Sequence, residues 1–176
     1  GVIDLRGRRH THVEGVTTHA GTILTNQQPE GCRLDRLRVR YVSHSWLAED
    51  QYASQRRDTG VVLAGRGHRL TNSEIAYSSG NGVQVAGEKM RIINCHIRDT
   101  NYVGTFASAI ELNIRPNPNG PGMIPSRNTL ISHCTLERCG RSLIGTHGFY
   151  DSLIQFCELR YAGFLTWDLG MTYGNN

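Results

Sequence analysis

The chain has 176 residues, of which 38% are hydrophobic and 19% are charged, so it can form one ordinary domain and is neither disordered nor a coiled coil. Its net charge of +4 comes from acidic and basic residues that alternate along the chain, and the lack of a basic run disfavours a nucleic-acid partner. No apolar stretch approaches the roughly 20 residues of a membrane-spanning helix, which excludes a helical membrane anchor from this sequence.

Six segments of six residues align without gaps and indicate an internal repeat. Their first residues are Val13, Leu34, Leu70, Ile92, Ile131 and Ile154. The first, fourth and sixth positions are mostly apolar or small, and the third position carries Asn72 and Asn94 in two of the segments. Asparagine tolerates a left-handed backbone, so we predict a bend at the third position and a hydrogen-bonded ladder between these two amides.

A second set of short strand-like stretches follows the six segments. These stretches are residues 22–24, 61–63, 82–85, 109–112, 142–144 and 164–167. The interval between segments is about 22 residues once two insertions are set aside, which is too short for a propeller blade. Leucine-rich repeats have a similar length, but the segments lack their fixed leucine and asparagine pattern. We therefore predict an all-β chain that forms a single parallel β-helix of about six turns, roughly 29 Å long at ~4.8 Å per turn.

The repeated segments at residues 70–75 (LTNSEI) and 94–97 (NCHI) resemble the right-handed parallel β-helix proteins of the pectin-lyase-like superfamily. The resemblance covers residues 13–168 and implies the fold specifically. That superfamily includes polysaccharide lyases, glycoside hydrolases, esterases, phage tailspikes and adhesins. It therefore implies a carbohydrate-active protein with a polysaccharide as partner, in an extracellular or periplasmic location, although residues 1–5 lack the features of a signal peptide.

Three of the five cysteines, Cys95, Cys134 and Cys157, share the fourth repeat position. We interpret them as a buried column of small apolar side chains below Ser73. A disulfide does not suit the ~4.8 Å spacing of parallel strands, and a tetrahedral metal site would need cysteine pairs that are not present.

Two insertions interrupt the repeat, near residues 41–60 and 113–127. The first carries Trp46, which either forms a sugar-stacking platform with Tyr52 or fastens the insertion to the rod. The second holds four of the five prolines, so we expect that it does not continue a sheet, and its Arg115 could bind an acidic sugar.

Alternation along the second strand set predicts which residues face outward. Val83, Val85, Ile110, Leu112, Leu143, Leu165 and Trp167 are expected to face inward. The outward residues are expected to form two columns, the first with Gln84, Glu111, Ile144 and Thr166 and the second with Ala86, Asn113, Thr146 and Asp168. His147 is expected beside the second column, on one exposed face.

Glu111 and Asp168 are the proposed catalytic acid and base of a glycoside hydrolase. Two turns separate them in the predicted register, or ~10 Å, which is near the upper end of the carboxyl separation of inverting enzymes. Asn113, His147 and Tyr173 are expected to bind sugar hydroxyls or rings. The alternative is that a solvated sheet face carries polar residues by default.

A polysaccharide lyase of the same fold is the second hypothesis. Residues 146–148 (THG) resemble the R-H-G turn of the alginate and chondroitin lyase branch, but Thr146 replaces the arginine, and the single lysine, Lys89, is in a turn. No cofactor is expected for a hydrolase, whereas a lyase could use calcium. No metal site is predicted, since His10 and His12 have no evident third ligand. A non-catalytic glycan-binding or adhesive rod is the third hypothesis.

Neither end of the chain shows a cap over the open solenoid. Val2 and Ile3 begin directly in a strand, and the C-terminus follows the segment that carries Tyr173. An uncapped turn exposes apolar side chains and unpaired strand edges. We therefore expect either missing flanking β-helix turns or end-to-end self-association.

Overall fold

The computed structural model describes residues 3–25, 30–42, 60–114, 124–167 and 169–174. Within these ranges the regular structure is entirely β, and the described residues include no helix that could cross a membrane. Parallel strands build three sheets, which lie along the sides of a coiled rod. This confirms the prediction of an all-β parallel solenoid.

The first sheet contains one strand from each turn. Its strands are β1 (Ile3–Asp4), β4 (Ile23–Leu24), β7 (Val61–Arg66), β10 (Val83–Glu88), β13 (Ser108–Glu111), β18 (Ser142–Gly145) and β22 (Thr172–Tyr173). Three further strands, β14 (Asn113–Ile114), β15 (Ile124–Arg127) and β19 (Phe149–Tyr150), pair beside this main path.

The second and third sheets have six strands each. The second sheet contains β2 (His12–Glu14), β5 (Arg33–Asp35), β8 (Arg69–Thr71), β11 (Arg91–Ile93), β16 (Leu130–Ser132) and β20 (Leu153–Gln155). The third sheet contains β3 (Thr17–His19), β6 (Arg38–Arg40), β9 (Glu74–Ser78), β12 (His96–Thr100), β17 (Thr135–Cys139) and β21 (Glu158–Ala162). The described residues thus complete the predicted six turns and begin a seventh with β22.

The register of the second and third sheets reproduces the repeat residue by residue. The first positions of the six segments pair in the order Val13, Leu34, Leu70, Ile92, Ile131 and Ile154. The sixth positions pair in the order Thr18, Val39, Ile75, Ile97, Leu136 and Leu159. Equivalent side chains stack inside the rod, and this stacking explains why the segments align without gaps.

The predicted bend between these sheets is present in every turn. The third-position residues all have positive φ between 51° and 67°, and they are Gly15, Arg36, Asn72, Asn94, His133 and Phe156. The Asn94 Nδ2 group donates to Asn72 Oδ1 at 2.8 Å, which confirms the predicted amide ladder. Arg36, His133 and Phe156 adopt the same backbone although their residue types do not favour it, because the stacked turns fix the bend.

The interior is an apolar column that runs along the rod. Ile23, Leu63, Leu70, Ile92 and Ile97 are among its fully buried side chains. Cys95 and Cys134 are buried, Cys157 packs partly buried against the same cluster, and all three thiols are free. The predicted inward cysteine column is confirmed.

The outer face of the third sheet carries a ladder of arginines and acids, which we call the charge ladder. Its members are Arg40, Glu74, Arg98, Asp99, Glu137, Arg138 and Arg160. Glu74 accepts hydrogen bonds from Arg40 Nη2 at 2.9 Å and Arg98 Nε at 3.2 Å. Asp99 accepts from Arg138 Nε at 2.6 Å, and Glu137 accepts from Arg160 Nε at 2.7 Å.

Pairing in the charge ladder outweighs the effect of burial on its acids. Burial alone would raise the pKa of Glu74, but hydrogen bonds from Arg40 and Arg98 lower it below its usual value. Burial also opposes ionisation of Glu137, whose pKa is nevertheless lowered by His96, Arg160 and Arg138. The acids of this face are therefore held in the ionised form, in which they stabilise the folded chain.

The last turn departs from the predicted strand at residues 164–167. The Gly163 N–H donates to the Cys139 and Arg141 carbonyls at 3.1 and 2.9 Å, and the Leu165 N–H donates to the Gly140 carbonyl at 3.1 Å. These bonds hold the segment against the neighbouring turn, so the chain rejoins the first sheet only at Thr172–Tyr173. The prediction that Leu165 and Trp167 face inward is wrong, since their side chains are 55% and 90% exposed.

The second insertion was expected not to continue a sheet, and this prediction is wrong at both of its ends. β14 and β15 pair antiparallel through Asn113 with Pro125 and Ile114 with Ile124. β15 then pairs in parallel with β10 and β19. Because Pro125 lies near the start of its strand and opposite the two-residue β14, its missing N–H removes little from the sheet. Residues 115–123 lie outside the described structure.

Candidate functional site

Glu111 is the centre of the candidate site. It ends β13, and the inward Leu112 separates it from Asn113 on the outer side of the first sheet. Ser108 Oγ donates to Glu111 Oε2 at 2.8 Å, and Asn113 Nδ2 donates to Oε1 at 2.6 Å. These neutral donors hold the carboxylate in one orientation, in contrast to the arginines that hold Glu137.

A glycine makes room for this carboxylate. The register pairs Glu111 with Gly145 of β18 in the next turn. A Cβ atom added to Gly145 would overlap both Glu111 carboxylate oxygens. The Glu111 side chain therefore lies across a strand that has no side chain at that point.

The observed register corrects the predicted outward column. Gln84 pairs with Glu111 as expected, but the next positions are Gly145 and Tyr173 instead of Ile144 and Thr166. Ile144 pairs with Ile110 and is fully buried. The predicted second column is also wrong at Asn113, which pairs with Pro125. The segment that begins at Gly163 causes the change in the last turn, because the chain returns to the sheet only at Thr172–Tyr173.

His147 and Tyr173 lie beside Glu111. His147 Nδ1 is 3.5 Å from Glu111 Oε1, and the His147 and Tyr173 rings are 5.7 Å apart and tilted by 60°. Both side chains are partly exposed. The structure thus brings together four of the predicted site residues, Glu111, Asn113, His147 and Tyr173, which we call the Glu111 site.

Arg141 links the Glu111 site to an open cleft. Its guanidinium carbon is 4.5 Å from the centre of the Tyr173 ring and 4.6 Å from the centre of the Phe106 ring. Aromatic contacts of this kind hold a cation in place and are stronger when the cation is removed from water. Arg141 is buried, so its charge is fixed at the wall of the cleft.

The cleft has a volume of about 310 Å³. It is lined by Gly104, Thr105, Phe106, Arg141, Leu165, Thr166 and Trp167. Two excursions from the rod form it. The first, at residues 101–107, is fixed by Asn101, whose Nδ2 donates to the Thr105 and Ala107 carbonyls at 2.8 and 3.1 Å. The second is the segment at residues 163–167, which bonds to the Cys139, Gly140 and Arg141 carbonyls. The cleft offers aromatic and apolar surface together with one fixed cation.

The expected solvated face of the first sheet is largely buried. Glu111 and Asn113 are each only 3% exposed, and Gln84 is fully buried. Val62, Ala64 and Ala86 form a second apolar cluster outside the interior column, with Leu24 and Ile124 packed against it. The polar residues of this face are therefore not the default coating of a solvated sheet, and their burial requires the specific hydrogen bonds that Glu111 makes.

Three predicted site residues lie outside the described structure. They are Trp46 in the first insertion, Arg115 in the second, and Asp168, between the described residues 167 and 169. β22 supplies the seventh strand of the first sheet, where Tyr173 pairs with Gly145.

A different group of side chains has the donor atoms of a metal site. His12, Glu14 and Asp35 place ligand atoms within 4.8 Å of one another on the outer face of the second sheet. The neighbours of His12 in this group are Glu14 on its own strand and Asp35 on β5. His10, the other histidine considered from the sequence, lies at a bend with positive φ. Arg36 forms ion pairs with Glu14 and Asp35, so a cation would have to displace a guanidinium.

Sequence reasoning missed Ser108, Gly145, Arg141 and Phe106. Ser108 and Gly145 could have been found from the register of β13 and β18, which the alternation pattern placed one residue out of step. Arg141 and Phe106 have no comparable signal, because the contacts of Arg141 with Phe106 and Tyr173 join residues more than 30 positions apart along the chain.

Comparisons with solved structures return chains of low sequence identity and low structural similarity. The chain aligns over its full length with 93% of QnrB1, a plasmid-mediated fluoroquinolone resistance protein, at 13% identity and a TM-score of 0.29. It aligns over 89% of its length with 87% of HetL, a pentapeptide repeat protein from the cyanobacterium Nostoc involved in heterocyst differentiation regulation, at 9% identity and a TM-score of 0.14. No curated protein sequence matches the chain at a significant level.

The sequence also matches a family model described as a right handed beta helix region, over residues 38–164. This match spans most of the chain and includes most of the interior column and three residues of the Glu111 site, Glu111, Asn113 and His147. Together with the three parallel sheets, it establishes that the chain belongs to the right-handed β-helix family.

Proposed function

We propose that this β-helix acts on a polysaccharide and that glycoside hydrolysis is its leading reaction. The observation that carries the proposal is the convergence of Glu111, Asn113, His147 and Tyr173, which Arg141 links to an open cleft that contains the exposed Trp167. A cleft with aromatic surface and a few converging polar groups is the usual form of a ligand site.

Glu111 is the proposed base of the reaction. It accepts hydrogen bonds from Ser108 Oγ and Asn113 Nδ2, which orient the carboxylate, and a general base of this kind takes a proton from an attacking water. Asp168 is the proposed acid that protonates the leaving oxygen. In one cycle of an inverting hydrolase, the base takes one proton from water and the acid gives one proton to the leaving oxygen. The enzyme therefore gains and loses the same number of protons.

The remaining residues would bind and orient the sugar. Trp167 presents an exposed ring on which the apolar face of a sugar can stack, and His147 and Tyr173 offer hydrogen-bonding groups beside Glu111. Trp46 and Arg115 are proposed further contacts from the two insertions. We also propose an extracellular or periplasmic location, where polysaccharides are accessible, which fractionation of the native source would test.

A lyase reaction is the second candidate, and one arrangement favours it. His147 and Tyr173 lie on the same face within 5.7 Å, so one could remove a proton from the sugar while the other protonates the leaving oxygen. Arg141 places a fixed cation at the cleft wall, where it could bind a uronate carboxylate. Calcium dependence would accompany this reaction if the metal neutralises the same carboxylate.

A panel of polysaccharides tests both candidates. New reducing ends that disappear in both Glu111→Gln and Asp168→Asn would support hydrolysis. Unsaturated ends that disappear in His147→Ala would instead support the lyase. Glu88→Gln is the matched control, because Glu88 lies in the same sheet but is exposed. Its ion pair with Arg66 is long, at 3.9 Å. Binding without any product would leave a non-catalytic glycan-binding rod and would overturn both reactions.

A further inference from the structure

The interior cysteine column is a second chemically distinct feature, away from the Glu111 site. Cys95, Cys134 and Cys157 follow the bend residue in three successive turns. Strands on both sides of them are in register, with Ile93, Ser132 and Gln155 paired before the bend and His96, Thr135 and Glu158 paired after it. The three sulfur atoms therefore stack at about the strand spacing of ~4.8 Å.

The thiols interact with one another and with the main chain. Each Sγ lies near the carbonyl two residues before it, at 3.4 Å for Cys95, 3.3 Å for Cys134 and 3.2 Å for Cys157. A hydrogen bond from the Cys95 thiol lowers the pKa of Cys134 to about 7. The same bond, together with burial, raises the pKa of Cys95, and burial raises that of Cys157. Cys134 occupies the middle turn of the three, so it has a neighbouring thiol on both sides.

This spacing suits one class of metal ion. A disulfide requires sulfur atoms about 2.05 Å apart, so it would have to pull two stacked turns together. A tetrahedral zinc site requires four ligands, whereas the column offers two or three in a line. A linear sulfur–metal–sulfur unit spans about 4.6 Å if each bond is roughly 2.3 Å long, which matches the spacing of adjacent turns.

We propose that the cysteine column binds a soft cation of the Cu(I) class in linear coordination between Cys134 and the thiol of a neighbouring turn. Soft thiolate ligands select this class over harder ions. Binding converts two thiols to thiolates, so two protons leave for each cation bound and no electron is transferred. Cys157, in the last of the three turns, is the one thiol of the column that is only partly buried.

Ag(I) is the probe, because it shares this coordination and does not oxidise thiols in air. The full chain is titrated with Ag(I) in chloride-free buffer while thiolate-to-metal absorbance and proton release are followed. Cu(I), delivered anaerobically with ascorbate and a competing chelator, tests the proposed class directly. Cys134→Ser removes the central ligand, and Cys139→Ser is the matched control, because Cys139 is equally buried but occupies a different position in the turn.

The proposal expects one tightly bound cation per chain with release of two protons. Cys134→Ser should weaken binding at least about 100-fold, whereas Cys139→Ser should leave it unchanged. X-ray absorption on the unmutated Ag(I) complex should find two sulfur ligands, and this measurement stands even if Cys134→Ser fails to fold. Three or more ligands, oxygen ligands, or unchanged binding in a folded Cys134→Ser variant would overturn the proposal. Loss of polysaccharide cleavage in any variant has no bearing on it.

Discussion

The outer faces of the first and third sheets hold their acids in opposite ways. On the third sheet, Glu74, Asp99 and Glu137 are each paired with arginines in the charge ladder. On the first sheet, Glu111 is held by a serine and an asparagine, with His147 beside it. Arginine pairing neutralises an acid and favours a structural role, whereas neutral donors orient a carboxylate and leave its charge available for chemistry.

The neighbouring strands explain the difference. In the third sheet, long arginine side chains from adjacent turns reach over each acid. In the first sheet, Gly145 leaves a gap into which the Glu111 carboxylate extends. The chain neighbours of these two residues, Leu112 after Glu111 and Ile144 before Gly145, are buried apolar side chains. The comparison therefore predicts that changes at Glu111 affect activity more than stability and that changes at Glu137 do the reverse.

The largest expected effect is on turnover. Glu111→Gln keeps the size of the side chain but removes its ability to accept a proton, so polysaccharide cleavage should fall about 100- to 10,000-fold. Initial rates on the active polysaccharide measure this. The Glu88→Gln control should keep its activity, and an active Glu111→Gln variant would remove Glu111 from the proposed reaction.

The next effect is on stability. Glu137 has a side chain only 5% exposed, and it accepts hydrogen bonds from His96 and Arg160 at 2.9 and 2.7 Å. Glu137→Gln should lower the free energy of unfolding by about 2 kcal/mol, because it leaves these donors without a carboxylate. Urea unfolding measures this change. Glu158→Gln, at the exposed end of the same face, should cost much less, and equal costs would contradict the comparison.

A smaller effect should follow from filling the gap beside Glu111. Gly145→Ala would place a methyl group on the carboxylate, so Glu111 must move and activity should fall about 10-fold with a stability cost of about 1 kcal/mol. Rates measured in the double variant Gly145→Ala, Glu111→Gln separate the two effects. If Gly145→Ala acts through Glu111, it should cause no further loss of activity in the double variant.

The smallest effect is a pH dependence that belongs to the charge ladder. The pKa of Glu137 is lowered in the folded chain from its usual 4.5, so its stabilisation is complete above that pH and is lost as the pH falls through the folded value. The difference in Tm between the native chain and Glu137→Gln should therefore be constant near neutral pH and shrink below about pH 4.5. A difference that persists in strong acid would show that Glu137 acts through packing instead of charge.

Much of the fold could be predicted from the sequence because its causes are local and repeated. The six segments carry alternating apolar residues and a bend residue, and their stacking fixes the register of two sheets. The inward cysteine column and the Asn72–Asn94 ladder follow from that register. Glu111 and Asn113 could be placed on one face because alternation holds through the end of β13.

Only the tertiary structure decided the last turn and the cleft. Residues 164–167 have the apolar composition of a strand, but hydrogen bonds to Gly140 and Cys139 in the previous turn hold them outside the sheet. Arg141, Phe106 and Tyr173 come from three separate turns and meet at the cleft wall. Sequence periodicity reports which side chains an element buries, whereas such contacts between turns depend on where each excursion leaves and rejoins the rod.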